Sequence, residues 1–166
     1  GPFFFFYNIR MRNYILILLL ITACSEAIKP VDNAAENQIL YIGNGTEPQD
    51  LDPHIVTGVP ESKILMALLE GLVIRNPDGP DPLPGVARDW DISADGKTYT
   101  FYLRDDALWS NGDYVTAYDF VYAWNRMLMP SLGSKYPDML YDIVNAEEFN
   151  KGIIKDFSRV GVKALD

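Results

Sequence analysis

Cysteine and histidine are almost absent from this chain: Cys24 is the only thiol and His54 the only imidazole in 166 residues. A single cysteine excludes an internal disulfide, and its ordinary roles are a small buried hydrophobe or a reactive thiol. Basic residues are also scarce, 14 against 23 acidic ones, for a net charge of −9. Two of them, Arg10 and Arg12, lie in the first 23 residues, which contain no acid. The remainder therefore carries 12 basic and 23 acidic side chains, a balance of −11. Such a surface repels phosphates and argues against a nucleic-acid partner. Long apolar runs are missing too. The stretch after Arg12 is about ten residues, where a spanning helix needs roughly 20. What remains is ordinary for a folded domain. Apolar residues make up 48% of the chain and aromatic residues 13%, enough for one domain with a real core.

The short apolar run has a different meaning in its context. With Met11 as the start, Arg12 supplies a positive leader and Tyr14 to Ile21 an apolar segment. Ile21-Thr22-Ala23-Cys24 then supplies a small-residue cleavage site. The order aliphatic, small, small, cysteine resembles a bacterial lipobox, in which the cysteine thiol is acylated and becomes the new N-terminus. Residues 1–24 are thus expected to be a lipoprotein signal, with Cys24 the lipidation site. Residues 25–37 are polar and aperiodic, as a tether to the membrane would be. The folded part begins at residue 38.

Within that part, Lys97 to Met129 carries the strongest local signals. Tyr99, Phe101 and Leu103 alternate with Thr100, Tyr102 and Arg104, which predicts a half-buried strand. Asp95-Gly96 before it is a hairpin signal, because glycine supplies the positive φ of a tight turn. Asn111-Gly112-Asp113 marks a second turn. Thr116 and Asp119 form a capping-box-like start with Asp in place of Glu. The helix is expected from about Ala117 to Leu128, stopping before Pro130. Phe120, Val121, Trp124 and Leu128 would be its buried stripe.

Earlier segments follow the same logic. Gln38 to Gly43 has apolar residues on both faces and reads as a central, fully buried strand. Asp50, Asp52 and His54 alternate, so an extended chain would put two carboxylates and the histidine on one face. That could serve a metal or acid–base chemistry, but Pro48 and Pro53 mark a loop in which short acidic residues cap turns. Pro60 and Glu61 suit the first turn of a helix running to Glu70, burying Ile64, Leu65, Leu68 and Leu69, with Gly71 as its stop. Leu72 to Arg75 is a short strand. Pro80, Pro82 and Pro84 make a stiff connection. Asp105-Asp106 reads as a solvated turn rather than a catalytic pair. Met139 to Phe149 is expected to be one helix, and Val160 to Leu165 to begin a strand.

Taken together, certain residues resemble the signature of one family. They are Trp90, Ser93, Asp95-Gly96, Tyr99-Thr100-Phe101, Leu103-Arg104, Trp109-Ser110-Asn111-Gly112, Val115-Thr116-Ala117, the run from Asp119 to Trp124, and Arg126. The family is the extracytoplasmic solute-binding lipoproteins of oligopeptide, dipeptide and nickel ABC importers, with the nearest likeness to the oligopeptide-binding branch. The resemblance covers residues 38–166 and the front portion of a family member only. It implies a mixed α/β fold of the type II periplasmic-binding-protein kind: the start of the large lobe, then most of the small extra domain, with a second lobe largely absent.

The same resemblance implies a lipid-anchored receptor, in the periplasm or on the outer face of the cytoplasmic membrane. It would bind short peptides and deliver them to ABC permease subunits, as a monomer, with no cofactor or metal and no catalysis. Thr57, Gly58 and Val59 match the segment that pairs main chain to main chain with a bound peptide. Tyr136 matches a tyrosine that faces the ligand cleft, where its ring packs on a peptide and its hydroxyl bonds to backbone. Taken without the resemblance, the residues also allow a membrane-anchored interaction module complete as it stands. They allow, too, a small hydrolase built on His54 with Asp50 or Asp52.

Overall fold

The computed structural model describes residues 29–165, so Cys24 and the expected signal segment lie outside the described residues. The chain divides into two units between Gly43 and Asn44.

In the first unit a single turn of 3-10 helix, Pro30–Asn33, opens with the Lys29 N–H donating to Asp32 Oδ2 at 2.9 Å. The strand expected over Gln38 to Gly43 does not form. Gln38 has φ +56°, the Ile39 N–H turns back to the Ala34 carbonyl at 2.9 Å, and Leu40 and Ile42 are 81% and 70% exposed. A strand exists only against a neighbour that takes its N–H and C=O groups. Among the described residues no other chain segment is hydrogen-bonded to residues 40–43.

The second unit opens with loops that lead to helix α1, Val59–Leu68. Its N-cap Gly58 is extended, and Pro60 sits in the first turn, where a missing N–H costs nothing. The helix ends two residues short of the expected Glu70, with Leu69 already extended. The cause is a competing ladder: the Gly71 carbonyl accepts from the Val86 N–H, and the Leu72 carbonyl from the Ala87 N–H, each at 2.9 Å. Of the four leucine and isoleucine positions expected to be buried, Ile64 and Leu65 are half-buried while Leu68 and Leu69 stay exposed.

Strand β1, Val73–Ile74, pairs antiparallel with β2, Leu83–Pro84. Pro84 therefore stands in a strand rather than in a plain connector, at a two-strand edge where its missing N–H is tolerated. Strands β3, Ala87–Ile92, and β4, Tyr99–Leu103, form the main hairpin. Gly96 at φ +70° makes its turn, donating to the Ser93 carbonyl at 2.8 Å. Trp90 and Phe101 face each other across the pair, ring centroids 6.3 Å apart.

Helix α2, Ala117–Leu128, has the expected bounds. Asp119 Oδ2 accepts from both the Thr116 N–H and the Thr116 hydroxyl, at 2.7 and 2.9 Å. Phe120, Val121 and Trp124 are half-buried and Leu128 is wholly buried. The long helix expected over Met139 to Phe149 is broken into a 3-10 turn, Pro137–Leu140, and helix α3, Ala146–Asn150. Asn145 lies between them with φ +62°, and its amide donates to the Arg159 carbonyl at 2.6 Å. Asparagine tolerates this left-handed backbone, which ends a helical run.

The core gathers here: Leu128, Ala146, Phe149, Ile154 and Val160, with Phe157 edge-on to Phe149 at 5.2 Å. Val160 to Leu165 is not a strand. Val160 is drawn into this core, and the Gly161 N–H goes to the Val144 carbonyl at 2.8 Å.

Truncating Leu128 to alanine should cost about 2–5 kcal/mol, since the side chain is fully enclosed. Truncating Tyr118, 64% exposed on the same helix, should stay within about 0.5 kcal/mol. Chemical denaturation of the two variants, followed by tryptophan fluorescence, checks the contrast.

Candidate functional site

The segment Asp50 to Val59 begins as a tightly self-bonded turn. Asp50 Oδ1 accepts from the Leu51 and Asp52 N–H groups at 2.6 and 3.0 Å. Asp52 Oδ1 accepts from the His54 N–H at 3.0 Å, and its carbonyl accepts from the Ile55 and Val56 N–H groups at 3.1 Å each. Short acidic side chains thus cap the turn, as a loop punctuated by prolines predicts.

Asp52 does more than cap. Arg126, near the end of α2, reaches its carboxylate with both terminal nitrogens, Nη1 to Oδ1 at 2.8 Å and Nη2 to Oδ2 at 2.5 Å. The same Nη1 lies 2.7 Å from His54 Nδ1. A guanidinium only donates, so Nδ1 is the acceptor and the imidazole is neutral, with its proton on Nε2. The Arg126 hydrogen bond is the largest cause holding the Asp52 carboxyl down at about 2, against its ordinary 3.8. Burial, then the Arg126 charge, pushes the His54 imidazole below its ordinary 6.5.

This arrangement bears directly on the acid–base alternative. Both Asp52 oxygens and one His54 nitrogen are engaged by a single cation, while Asp50 is turned to the backbone. Among the described residues no group of three metal-ligating side chains comes together.

Past Val56 the chain is extended through Thr57 and Gly58 into α1. The N–H groups of Thr57, Gly58 and Val59 donate to no group among the described residues. These are the free donors expected at a helix entry. Thr57 is exposed, Gly58 half-buried and Val59 68% exposed. Glu61, only 5% exposed, lies beneath them. Its Oε1 accepts from the Gln49 N–H at 2.8 Å, and its Oε2 has no partner. A Cβ on Gly58 would stand 1.9 Å from that Oε2, so a side chain there would need the end of the Glu61 side chain to move, while the φ of −84° suits any residue.

Tyr136 caps the 3-10 turn at Pro137 and is 49% exposed. Among the described residues no hydrogen bond joins it to Thr57, Gly58 or Val59. A shallow cavity of about 300 Å³ opens beside Arg126, between Tyr122, Met129 and Leu132. None of the four sequence-predicted ligand residues lines it. The Arg126 tie is what sequence reasoning missed. The alternation of Asp52 and His54 signalled that both side chains share a face. Nothing local pointed to a partner 74 residues away.

Known proteins resemble this chain along most of its length. The family model of bacterial extracellular solute-binding proteins, family 5 (middle part), matches residues 81–166. The periplasmic oligopeptide-binding protein OppA of Escherichia coli is 48% identical over 134 residues, 80% of this chain and 24% of that protein. The dipeptide-binding protein DppE of Bacillus subtilis is 42% identical over 115 residues, 69% of this chain and 21% of that protein. Among solved structures, Haemophilus influenzae OppA in complex with RPPGFSPFR superposes with a TM-score of 0.68 at 46% identity. That match covers 74% of this chain and 24% of the other. The Escherichia coli murein tripeptide binding protein MppA gives 0.67 at 40% identity, covering 72% and 23%. The chain spans about a quarter of the length of these relatives. The mixed α/β fold is that of their type II periplasmic-binding-protein class.

The two titrating groups make acid stability a test of the tie. Both have lowered pKa values in the fold, so the unfolded chain binds more protons and stability falls as pH falls. The His54 contribution should be complete above 6.5 and fade below it. The Asp52 contribution should be complete above 3.8 and fade as pH drops toward 2. Denaturation midpoints followed against pH should show both stages. H54N should flatten the first and D52N the second.

Proposed function

The chain belongs to the bacterial extracellular solute-binding proteins of family 5, and from that premise we propose that the whole protein is a receptor for short peptides. It acts outside the cytoplasmic membrane as a monomer and hands its ligand to ABC import permease subunits. The relatives named above are binding proteins, not enzymes, and the engaged state of Asp52 and His54 agrees with a non-catalytic role.

One observation in this chain carries the reading furthest: the main chain at Thr57 to Val59, extended at Gly58 and entering α1 at Val59, with three N–H groups that donate to nothing among the described residues. An extended peptide can add itself to such a segment as a strand would, gaining affinity from main-chain bonds that are indifferent to side-chain identity. Tyr136 offers a ring and a hydroxyl on an exposed turn. Recognition by main chain with tolerant side-chain pockets suits a receptor that must accept many sequences.

The anchor in this reading is Cys24, whose thiol is acylated and which becomes the N-terminus when the signal segment, starting at Met11, is removed. Residues 25–37 then act as the tether of a solute-binding domain that starts at residue 38. The location that follows is the periplasm or the outer face of the cytoplasmic membrane.

Two experiments test the reading. In the whole protein, calorimetric titration with short peptides should show binding. V59P should weaken it about tenfold, since it deletes one N–H donor at a helix position that accepts proline, while the melting temperature holds. Absence of binding to any short peptide would overturn the proposal. For the anchor, metabolic labelling with palmitate in a bacterial host should mark the wild type, whereas C24S should remain unlabelled and unprocessed. Labelling of C24S would remove Cys24 from the role.

A further inference from the structure

The N–H groups of Thr57 to Val59, which donate to no group among the described residues, can serve as a template only if something holds them still, and α1 does so by packing only in part: Glu61 is buried and Ile64 and Leu65 half-buried, but Met66 and Leu68 are 78% and 68% exposed. We infer that Arg126 is the positioning residue of this segment, fixing it to the core through Asp52 and His54. The inference rests on the peptide-receptor reading and goes beyond it by naming what sets the geometry of the binding main chain.

Three observations carry it. First, the turn that Arg126 grips is stiff. Five local hydrogen bonds over residues 50–56 make it move as one body, and Thr57 follows directly. Second, the grip is exclusive. Among the described residues, every hydrogen bond from residues 44–59 to the chain beyond α1 ends on the Arg126 guanidinium. The remaining long contact, Gln49 to Glu61, ties the segment only to α1 itself.

Third, Arg126 stands on firm ground. Two residues later Leu128 is wholly buried, and its carbonyl accepts from the Asn150 amide at 2.9 Å. Asn150 is in turn held by the Tyr141 hydroxyl at 2.7 Å. A path of bonds thus runs from the core, through α2 and one planar fork, to the turn that launches Thr57. The fork matters as much as the charge. Two parallel bonds to Asp52 and a third contact to His54 restrain rotation as well as distance, which a lysine ammonium at one point cannot do.

The test uses the whole protein and two readouts. Amide hydrogen exchange of the free protein reports the opening of the turn at the Ile55 and Val56 amides, both bonded to the Asp52 carbonyl, and, separately, of the core around residues 140–160. Calorimetric titration with a short peptide reports affinity. R126Q and D52N should each speed exchange of the Ile55 and Val56 amides, which are bonded to the Asp52 carbonyl, by about tenfold, leave the core as in the wild type, and weaken peptide binding about tenfold. The double variant should be no worse than either single one, because both break the same tie. R126K should fail to restore either readout fully.

Unchanged exchange of the Ile55 and Val56 amides, or a rise matched by the core, would overturn the inference, the second outcome meaning general destabilisation. Faster local exchange with undiminished affinity would also overturn it. A wild-type protein that binds no peptide at all, yet shows the local exchange response, would instead overturn the receptor reading and leave the strut in place.

Discussion

A guanidinium seated on a carboxylate and an imidazole joins parts of this chain that are 74 residues apart. Its strength comes from geometry and partial burial. The Arg126 and Asp52 side chains are 31% and 21% exposed, so water screens them less than a surface pair, yet neither charge is left without a partner. Breaking such a pair by removing one member strands the other, which is why the turn at Asp52 and the end of α2 behave as one piece. The neutral state of His54 belongs to the same logic. Its Nδ1 lone pair is the acceptor for a permanent cation, and protonation would set two positive charges at hydrogen-bonding distance.

The core and the candidate site occupy opposite ends of one argument. Leu128 and its neighbours make a small, dry cluster that fixes the end of α2. From there order is exported by hydrogen bonds rather than by apolar packing, to a segment whose own helix buries little. That division suits a recognition surface. In the proposed receptor reading, main-chain donors at Thr57 to Val59 must remain unspent to be useful, so they would not be stabilised by intramolecular bonds and would be held from behind.

Local physics wrote much of the fold legibly. The Thr116–Asp119 cap, the Asp95-Gly96 turn, the strand over Tyr99 to Leu103 and the stop before Pro130 all depend on neighbours within a few residues, and each forms as read, although Tyr99 is exposed and Thr100 half-buried, so the expected alternation holds only from Phe101 to Leu103. The errors share a cause. Residues 38–43 and 160–165 have the apolar pattern of strands, but a strand is a relation between segments, and among the described residues no partner pairs with them as a ladder. The helix expected across Met139 to Phe149 fails at Asn145, where a side-chain bond to Arg159, 14 residues on, pays for a left-handed backbone. Leu68 and Leu69 have a helical stripe's chemistry and no surface to bury it against.

The candidate site divides the same way. A run of ordered motifs, through the family resemblance it carries rather than through composition, was enough to set the fold class and the family. Local signals also placed free donors at the entry to α1, because a proline in a helix's first turn and a glycine before it dictate that backbone locally. Only the tertiary structure decided that Asp52 and His54 face Arg126 and that the Glu61 carboxylate lies against Gly58. The contacts of Arg126 join residues distant in sequence. Their existence depends on how turns and helices are placed in space, which no local periodicity encodes.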